Sequence, residues 1–347
     1  MSDVAGVPTA LEPGHPRPDR PPPLVVTESL SKHFPVRPGV LRVASPFARA
    51  VDGVSIRVRY GETVGLVGES GCGKSTLGRL LVRLVEPTVG RIVFEGRDLT
   101  RWTEDALRPL RRRMQIVSQN PTSSLNPRMT VRDLVGEAIR IHKLARSRAQ
   151  ESDRIVKWVE RVGMRPAVLD LHPHELSAGQ AQRVAIARAL SVEPKFVVCD
   201  EPTASLDVSV QAHILNLLVD LQETMGIAYL LISHDLVLVS RVSHRVAVMY
   251  RGRIVEQAFA KDLCLRPLHP YTKALVASAP QLDPGRIRAR LPVARAMPSS
   301  ALPPSGCGFY ERCPRAAAGT CDRNVPILEE IPDGSGHEVA CWFPAEG

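Results

Sequence analysis

Apolar positions along the chain fall into two rhythms. Compact apolar runs stand at Leu24-Val25-Val26, Thr63–Val67, Met114–Val117, Phe196–Asp200, Ala228–Ser233 and Arg245–Tyr250, each flanked by polar or glycine-containing turns, as strands are. Residues 54–58 alternate with period two and read as a further strand, from which Gly61 turns the chain into Thr63. Residues 253–257 close a hairpin with Arg245–Tyr250 around Arg251-Gly252. Between these runs the period lengthens. Residues 74–84, 177–190 and 208–223 read as helices, and from 131 to about 161 Leu134, Ala138, Ile141, Ile155 and Val159 keep helical spacing. This alternation predicts an α/β core, and the helical block between 128 and 176 predicts an inserted subdomain. No internal repeat is visible.

Length and composition add the boundaries. A chain of 347 residues holds one large domain and an appendage. Residues 1–23 carry Pro8, Pro13, Pro16, Pro18, Pro21, Pro22 and Pro23 without apolar periodicity, which predicts a disordered extension. After about residue 266 the composition shifts to Pro, Arg and Cys, so a second unit is placed at 266–347. With aromatics at 4% in a 44% hydrophobic chain, the core must rest on Leu, Val, Ile and Ala. No apolar run reaches the roughly 20 residues that span a bilayer, and the N-terminus lacks a basic-then-apolar leader; the expectation is a cytoplasmic protein. The formal charge of +9 concentrates in basic clusters at 108–113 and 286–295. They read as solvated faces, with anionic lipid or nucleic acid as the alternative partners. The absence of interleaved aromatics weakens the nucleic-acid alternative.

Gly68-Glu69-Ser70-Gly71-Cys72-Gly73-Lys74-Ser75 has the spacing of a P-loop and stands between a predicted strand and a predicted helix, as that chemistry requires. Gly71 and Gly73 let backbone N–H groups approach phosphates, and the following helix, with Thr76 in its first turn, points its positive end at them. Lys74 is assigned to the β and γ phosphates and Ser75 to Mg²⁺. Cys72 reads as a small filler, or as a reactive thiol activated by Lys74. Asp200 ends an apolar strand and is a Mg²⁺ ligand candidate; Glu201 follows as the carboxylate that orients the attacking water. Gln119, after Met114–Val117, is a candidate for Mg²⁺ or that water. His234, at the end of Ala228–Ser233, is a candidate donor to the γ-phosphate. Leu176-Ser177-Ala178-Gly179-Gln180 makes a second anion site, with Ser177 as N-cap and the next N–H groups free.

That second motif resembles the signature of ATP-binding cassette (ABC) proteins, and the resemblance covers about residues 24–265. It implies a P-loop NTPase of ABC type, with an antiparallel β subdomain, an inserted helical subdomain at about 120–178 and a small Cys-containing C-terminal extension. It further implies a head-to-tail dimer in which Ser177, Ala178, Gly179 and Gln180 close over the partner's ATP. Gln119 falls at the Q-loop, Asp200 and Glu201 at Walker B, Ala204-Ser205-Leu206-Asp207 at the D-loop, and His234 at the switch histidine. Phe34 stands where the family stacks an adenine, with a core role as the alternative. Ala178 replaces the family's usual glycine, which implies a mild asymmetry between the two sites.

Three segments are similar to the oligopeptide/dipeptide importer ATPases: 119–129, the insertion between His33 and Val51, and His269-Pro270-Tyr271-Thr272-Lys273-Ala274-Leu275. This implies an ATPase at the cytoplasmic face of the membrane, peripheral, that energises a binding-protein-dependent importer of di- or oligopeptides. Its implied partners are a second cassette (a heterodimer, or a homodimer), two membrane permeases and, through them, a solute-binding protein, with no nucleic acid. Nickel or another small solute is the alternative cargo, and a soluble non-transport ABC ATPase the rival class. Cys307, Cys313, Cys321 and Cys341 lie in the last 41 residues. Four thiolates suit Zn²⁺ or a [4Fe–4S] cluster; similarity to the importer tails puts the cluster first. His337 is a lesser ligand candidate.

Overall fold

A computed structural model of the chain describes residues 22–35, 47–204, 206–278 and 305–345. Among them, strands β1 (Pro23–Pro35), β2 (Phe47–Val54) and β3 (Arg57–Arg59) begin an antiparallel sheet. β4 (Thr63–Val67) starts the central sheet, and β5 (Val89–Phe94) and β6 (Arg97–Asp98) complete the first one in the order β2-β1-β5-β6, with β3 on β1. The central sheet continues with β7 (Met114–Val117), β8 (Phe196–Asp200), β9 (Ala228–Ser233), β10 (Arg245–Tyr250), β11 (Arg253–Phe259), β12 (Glu329–Glu330) and β13 (Glu338–Val339). Its order is β12-β13-β11-β10-β4-β9-β8-β7. The run from β10 to β7 is parallel, and β11, β13 and β12 are antiparallel at one edge.

The parallel strands are buried on both faces, which explains why they read as continuous apolar runs. Alternate residues divide between two cores. Val64, Leu66, Val198, Leu230 and Ile232 pack with the antiparallel sheet and helix Lys74–Leu81. Val197, Cys199, Tyr229 and Leu231 pack on the other side with helices Ala178–Leu190 and Val208–Met225 and with the helical subdomain.

Three boundaries differ from the sequence expectations. The strand expected at 54–58 is interrupted, because the Thr27 hydroxyl donates to Val54 O (3.1 Å) and accepts from Ile56 N (2.9 Å) in place of a ladder. The helical stretch expected over 131–161 is two helices, Val131–Ile141 and Arg148–Arg161. Lys143 turns left-handed between them (φ 52°), and Ser147 caps the second by accepting from Gln150 N. The C-terminal segment does not stand apart: β13 pairs with β11, and Phe309 and Tyr271 are buried in the cassette's core.

The extension at 1–21 and the basic cluster at 286–295 lie outside the described residues, as does Ser205 of the D-loop segment. In the described cluster Arg111 pairs with Glu104, Arg112 with Glu193 and Arg113 with Glu95, in keeping with a solvated face. Among the described residues no helix is long and apolar enough to cross a membrane.

Candidate functional site

The C-terminal ends of β4, β9, β8 and β7 are neighbours, and this register gathers the predicted residues. β4 runs into the glycine loop, β9 into His234, β8 into Asp200-Glu201, and β7 into Gln119. The loop's shape depends on its glycines: Gly71 and Gly73 hold φ of 79° and 110°. A Cβ on Gly68 would stand 2.1 Å from Met249 O, and one on Gly73 would stand 2.0 Å from Ala50 O. The loop is therefore pressed against backbone on both sides, where only hydrogen fits. Gly73 is also the N-cap of helix Lys74–Leu81, so the free N–H groups of its first turn open onto the loop.

Lys74 lies against its own loop. Its ammonium is buried and donates to Gly68 O (2.8 Å) and Glu69 O (3.0 Å). Those two carbonyls satisfy the buried ammonium. Ser75 Oγ donates to Asp200 Oδ1 at 2.8 Å, bringing the two predicted Mg²⁺ ligands into direct contact. Asp200 is 4% exposed; burial raises its pKa, and the Ser75 hydrogen bond works in the opposite direction. A carboxylate short of solvent beside a hydroxyl is a fitting oxygen pair for a divalent cation.

Glu201 accepts from Gln119 Nε2 at 2.8 Å, and His234 Nδ1 stands 3.8 Å from the same carboxylate oxygen. Glu201 adopts φ 46°, a left-handed conformation that costs a non-glycine residue roughly 1–2 kcal/mol. Its N–H donates to Ile232 O (3.0 Å), which ties the turn to β9. Glu201, Ser233, His234 and Asp235 border a cavity of about 100 Å³, room for a few waters beside the carboxylate.

Ser177 caps helix Ala178–Leu190: its hydroxyl accepts from Gln180 N, and the Gln180 side chain accepts from Ser177 N. Ser177, Ala178 and Gln180 are exposed and Gly179 half-buried, so the motif faces outward. Ala178 is the first helical residue, a position alanine fits well. Phe34 is 40% exposed beneath the Lys32 ammonium, which removes the core alternative and leaves a ring face at the surface. Cys72 is 2% exposed and burial pushes its thiol up, so the filler reading stands and the reactive one loses its support.

Cys307, Cys313, Cys321 and Cys341 border one small cavity of about 20 Å³, with Phe309 and Trp342 among its walls. Burial pushes the thiols of Cys307, Cys313 and Cys341 up, the last to about 11. Among the described residues no group of three or more His, Cys, Asp or Glu stands at ligand geometry, so the expected iron–sulfur or zinc site is without structural support beyond this convergence. His337 does not border that cavity, and its Nε2 pairs with buried Glu256 at 2.7 Å. Sequence reasoning missed Tyr271, whose hydroxyl accepts from Glu69 N at 2.9 Å, and Arg312, which grips the same residue. Tyr271 stood in the importer-like segment 269–275 without a role, and only long-range contacts reveal what either residue does.

A P-loop, two acids at a strand end, a glutamine, a histidine and an outward signature on this fold define the ATPase cassette of ABC proteins. The ABC transporter family model matches residues 51–204, and the model of the oligopeptide/dipeptide transporter C-terminal region matches 255–321. A probable peptide ABC transporter ATP-binding protein of Sinorhizobium fredii is 49% identical over 93% of this chain and 90% of its own length. The oligopeptide transport ATP-binding protein AppF of Bacillus subtilis is 43% identical over 90% of this chain and 94% of its own. A dimeric ATP-binding cassette in a post-hydrolysis state with ADP and Pi superposes with a TM-score of 0.61 at 26% identity, covering 68% of this chain and 98% of that one. The chain is an ABC-type ATPase. It belongs to the ATP-binding subunits of the oligopeptide/dipeptide transporter family.

Proposed function

We propose that this chain powers the import of di- or oligopeptides from the cytoplasmic face of the membrane. It would work beside a second cassette, against two permeases served by a solute-binding protein. The observation that carries the reading is the outward-facing signature: an exposed helix start suits an anion, and a second chain's nucleotide would complete it. ATP enters with its phosphates on the loop from Gly68 to Thr76 and its base on Phe34. Lys74 leaves its two carbonyls for the β and γ phosphates. Ser75 and Asp200, with Gln119, would hold Mg²⁺, whose charge would offset the negative charge that develops on the phosphates. Glu201 turns from Gln119 to the attacking water, and His234 steadies the γ-phosphate. Names of the relatives support peptide as cargo.

Affinity purification of the tagged chain from gently solubilised membranes tests this. Two permeases and a second cassette are the expected companions; ribosomes, or a chain without membrane partners, would remove the importer reading.

The four C-terminal thiols are proposed to hold a [4Fe–4S] cluster, ahead of Zn²⁺. The fit rests on donor chemistry: four sulfurs around one cavity suit a soft metal, and metal binding lowers raised thiol pKa values. Anaerobically purified protein is expected to be brown and to contain about four iron and four sulfide per chain. A colourless, metal-free and fully folded preparation would refute it.

A further inference from the structure

Glu69 is the P-loop residue with the most demanding surroundings. Its carboxylate accepts both terminal nitrogens of Arg312, Nη1 to Oε2 at 2.9 Å and Nη2 to Oε1 at 2.8 Å. This fork is the strongest geometry an ion pair adopts. Arg312 lies 243 residues further along the chain, next to Cys313. Its side chain is 7% exposed, its guanidinium sits 5.8 and 5.7 Å from the Tyr250 and Phe309 rings, and Nη1 also reaches the Tyr250 hydroxyl at 3.3 Å. Such depth indicates a built contact rather than a surface ion pair.

The backbone of Glu69 is held as well. Its N–H donates to the Tyr271 hydroxyl at 2.9 Å, and its carbonyl accepts from Lys74 Nζ at 3.0 Å. When Lys74 moves to phosphate, that carbonyl is released, and Tyr271 and Arg312 remain to keep residue 69 in place. Charge gives Arg312 a second task. A bare carboxylate in the phosphate loop repels a triphosphate. The paired guanidinium cancels that charge at its source.

We infer that Arg312 is a positioning residue for the nucleotide site: it neutralises Glu69 and fixes the phosphate loop, so that the C-terminal segment sets the affinity for ATP. Arg312 acts through Glu69 and is assigned no contact with phosphate. The inference rests on the reading of residues 68–76 as the nucleotide loop.

Calorimetric titration of the full chain with the magnesium complex of AMP-PNP tests it. Arg312→Gln is expected to weaken binding about tenfold, the scale of one close charge pair. Arg312→Lys, which keeps the charge and loses the fork, is expected between the two. Adding Glu69→Gln to Arg312→Gln removes the unpaired carboxylate and should restore binding to within about threefold of wild type. Arg312→Lys keeps a cation at this place and remains a test if Arg312→Gln fails to fold: it should still bind more weakly than wild type. In the assembled transporter Arg312→Gln should raise KM for ATP and leave kcat unchanged. Wild-type affinity in Arg312→Gln or Arg312→Lys, or a double variant as weak as Arg312→Gln, overturns the clasp. A wild-type chain that binds no AMP-PNP overturns the nucleotide reading, and the clasp with it.

Discussion

Glu201→Gln is expected to lower ATP turnover by the assembled transporter about 10²- to 10⁴-fold, the range a positioned general base contributes. The substitution is isosteric, so packing in the turn after β8 is kept. Its amide oxygen can still accept from Gln119 Nε2, which now bonds the carboxylate at 2.8 Å, and the resting geometry should survive. What disappears is the charge proposed to polarise the attacking water. Lys74, Ser75 and Asp200 are untouched, so ATP binding should persist and bound ATP should accumulate. Two nucleotides then stay closed between P-loop and signature, and the two cassettes should migrate as a stable pair in ATP. Single-turnover hydrolysis followed by size-exclusion chromatography reads both effects. Turnover at the wild-type rate would move the catalytic role away from Glu201.

Much of this site was legible because local chemistry forces it. A loop that wraps phosphate needs glycine where φ is positive, and Gly71 and Gly73 are at those places. Acids that serve phosphate chemistry must emerge at a strand end, and Asp200 closes a run of four apolar residues. Parallel strands buried on both faces read as unbroken apolar segments, so the central sheet was visible too. What escaped the sequence depends on partners far along the chain. The Thr27 hydroxyl, not any residue between 54 and 58, divides β2 from β3. Ser147 was a readable N-cap, and giving it weight against the apolar spacing would have separated the two helices of the subdomain. The composition of the C-terminal segment suggested a separate unit. Its pairing of Val339 and Glu338 with Glu256 and Gln257 makes it a sheet edge instead, and that register has no local signature. The grip of Arg312 and Tyr271 on Glu69 belongs to the same class of contact.

Gly73→Ala is expected to weaken ATP binding by about 10²-fold or more, the scale on which an ångström of misplacement costs a positioned site. Two effects combine. At φ 110° an alanine is strained whatever the available space, and its Cβ would lie 2.0 Å from Ala50 O. That oxygen is backbone, at a bulge of β2 between Arg49 and Val51, which both pair with β1, and it yields less readily than a side-chain tip does. The loop must therefore move, carrying with it the N–H groups of the first helical turn and the Lys74 ammonium. Gly61→Ala supplies the control. Gly61 also has positive φ (65°), yet nothing lies within 4 Å of its added Cβ. It should lose only the conformational cost, roughly 1–2 kcal/mol of stability, with ATP affinity unchanged. Denaturant melts and nucleotide titrations of both variants separate strain from steric displacement. If Gly73→Ala behaved like Gly61→Ala, the close approach of β2 to the phosphate loop would have no part in shaping the site.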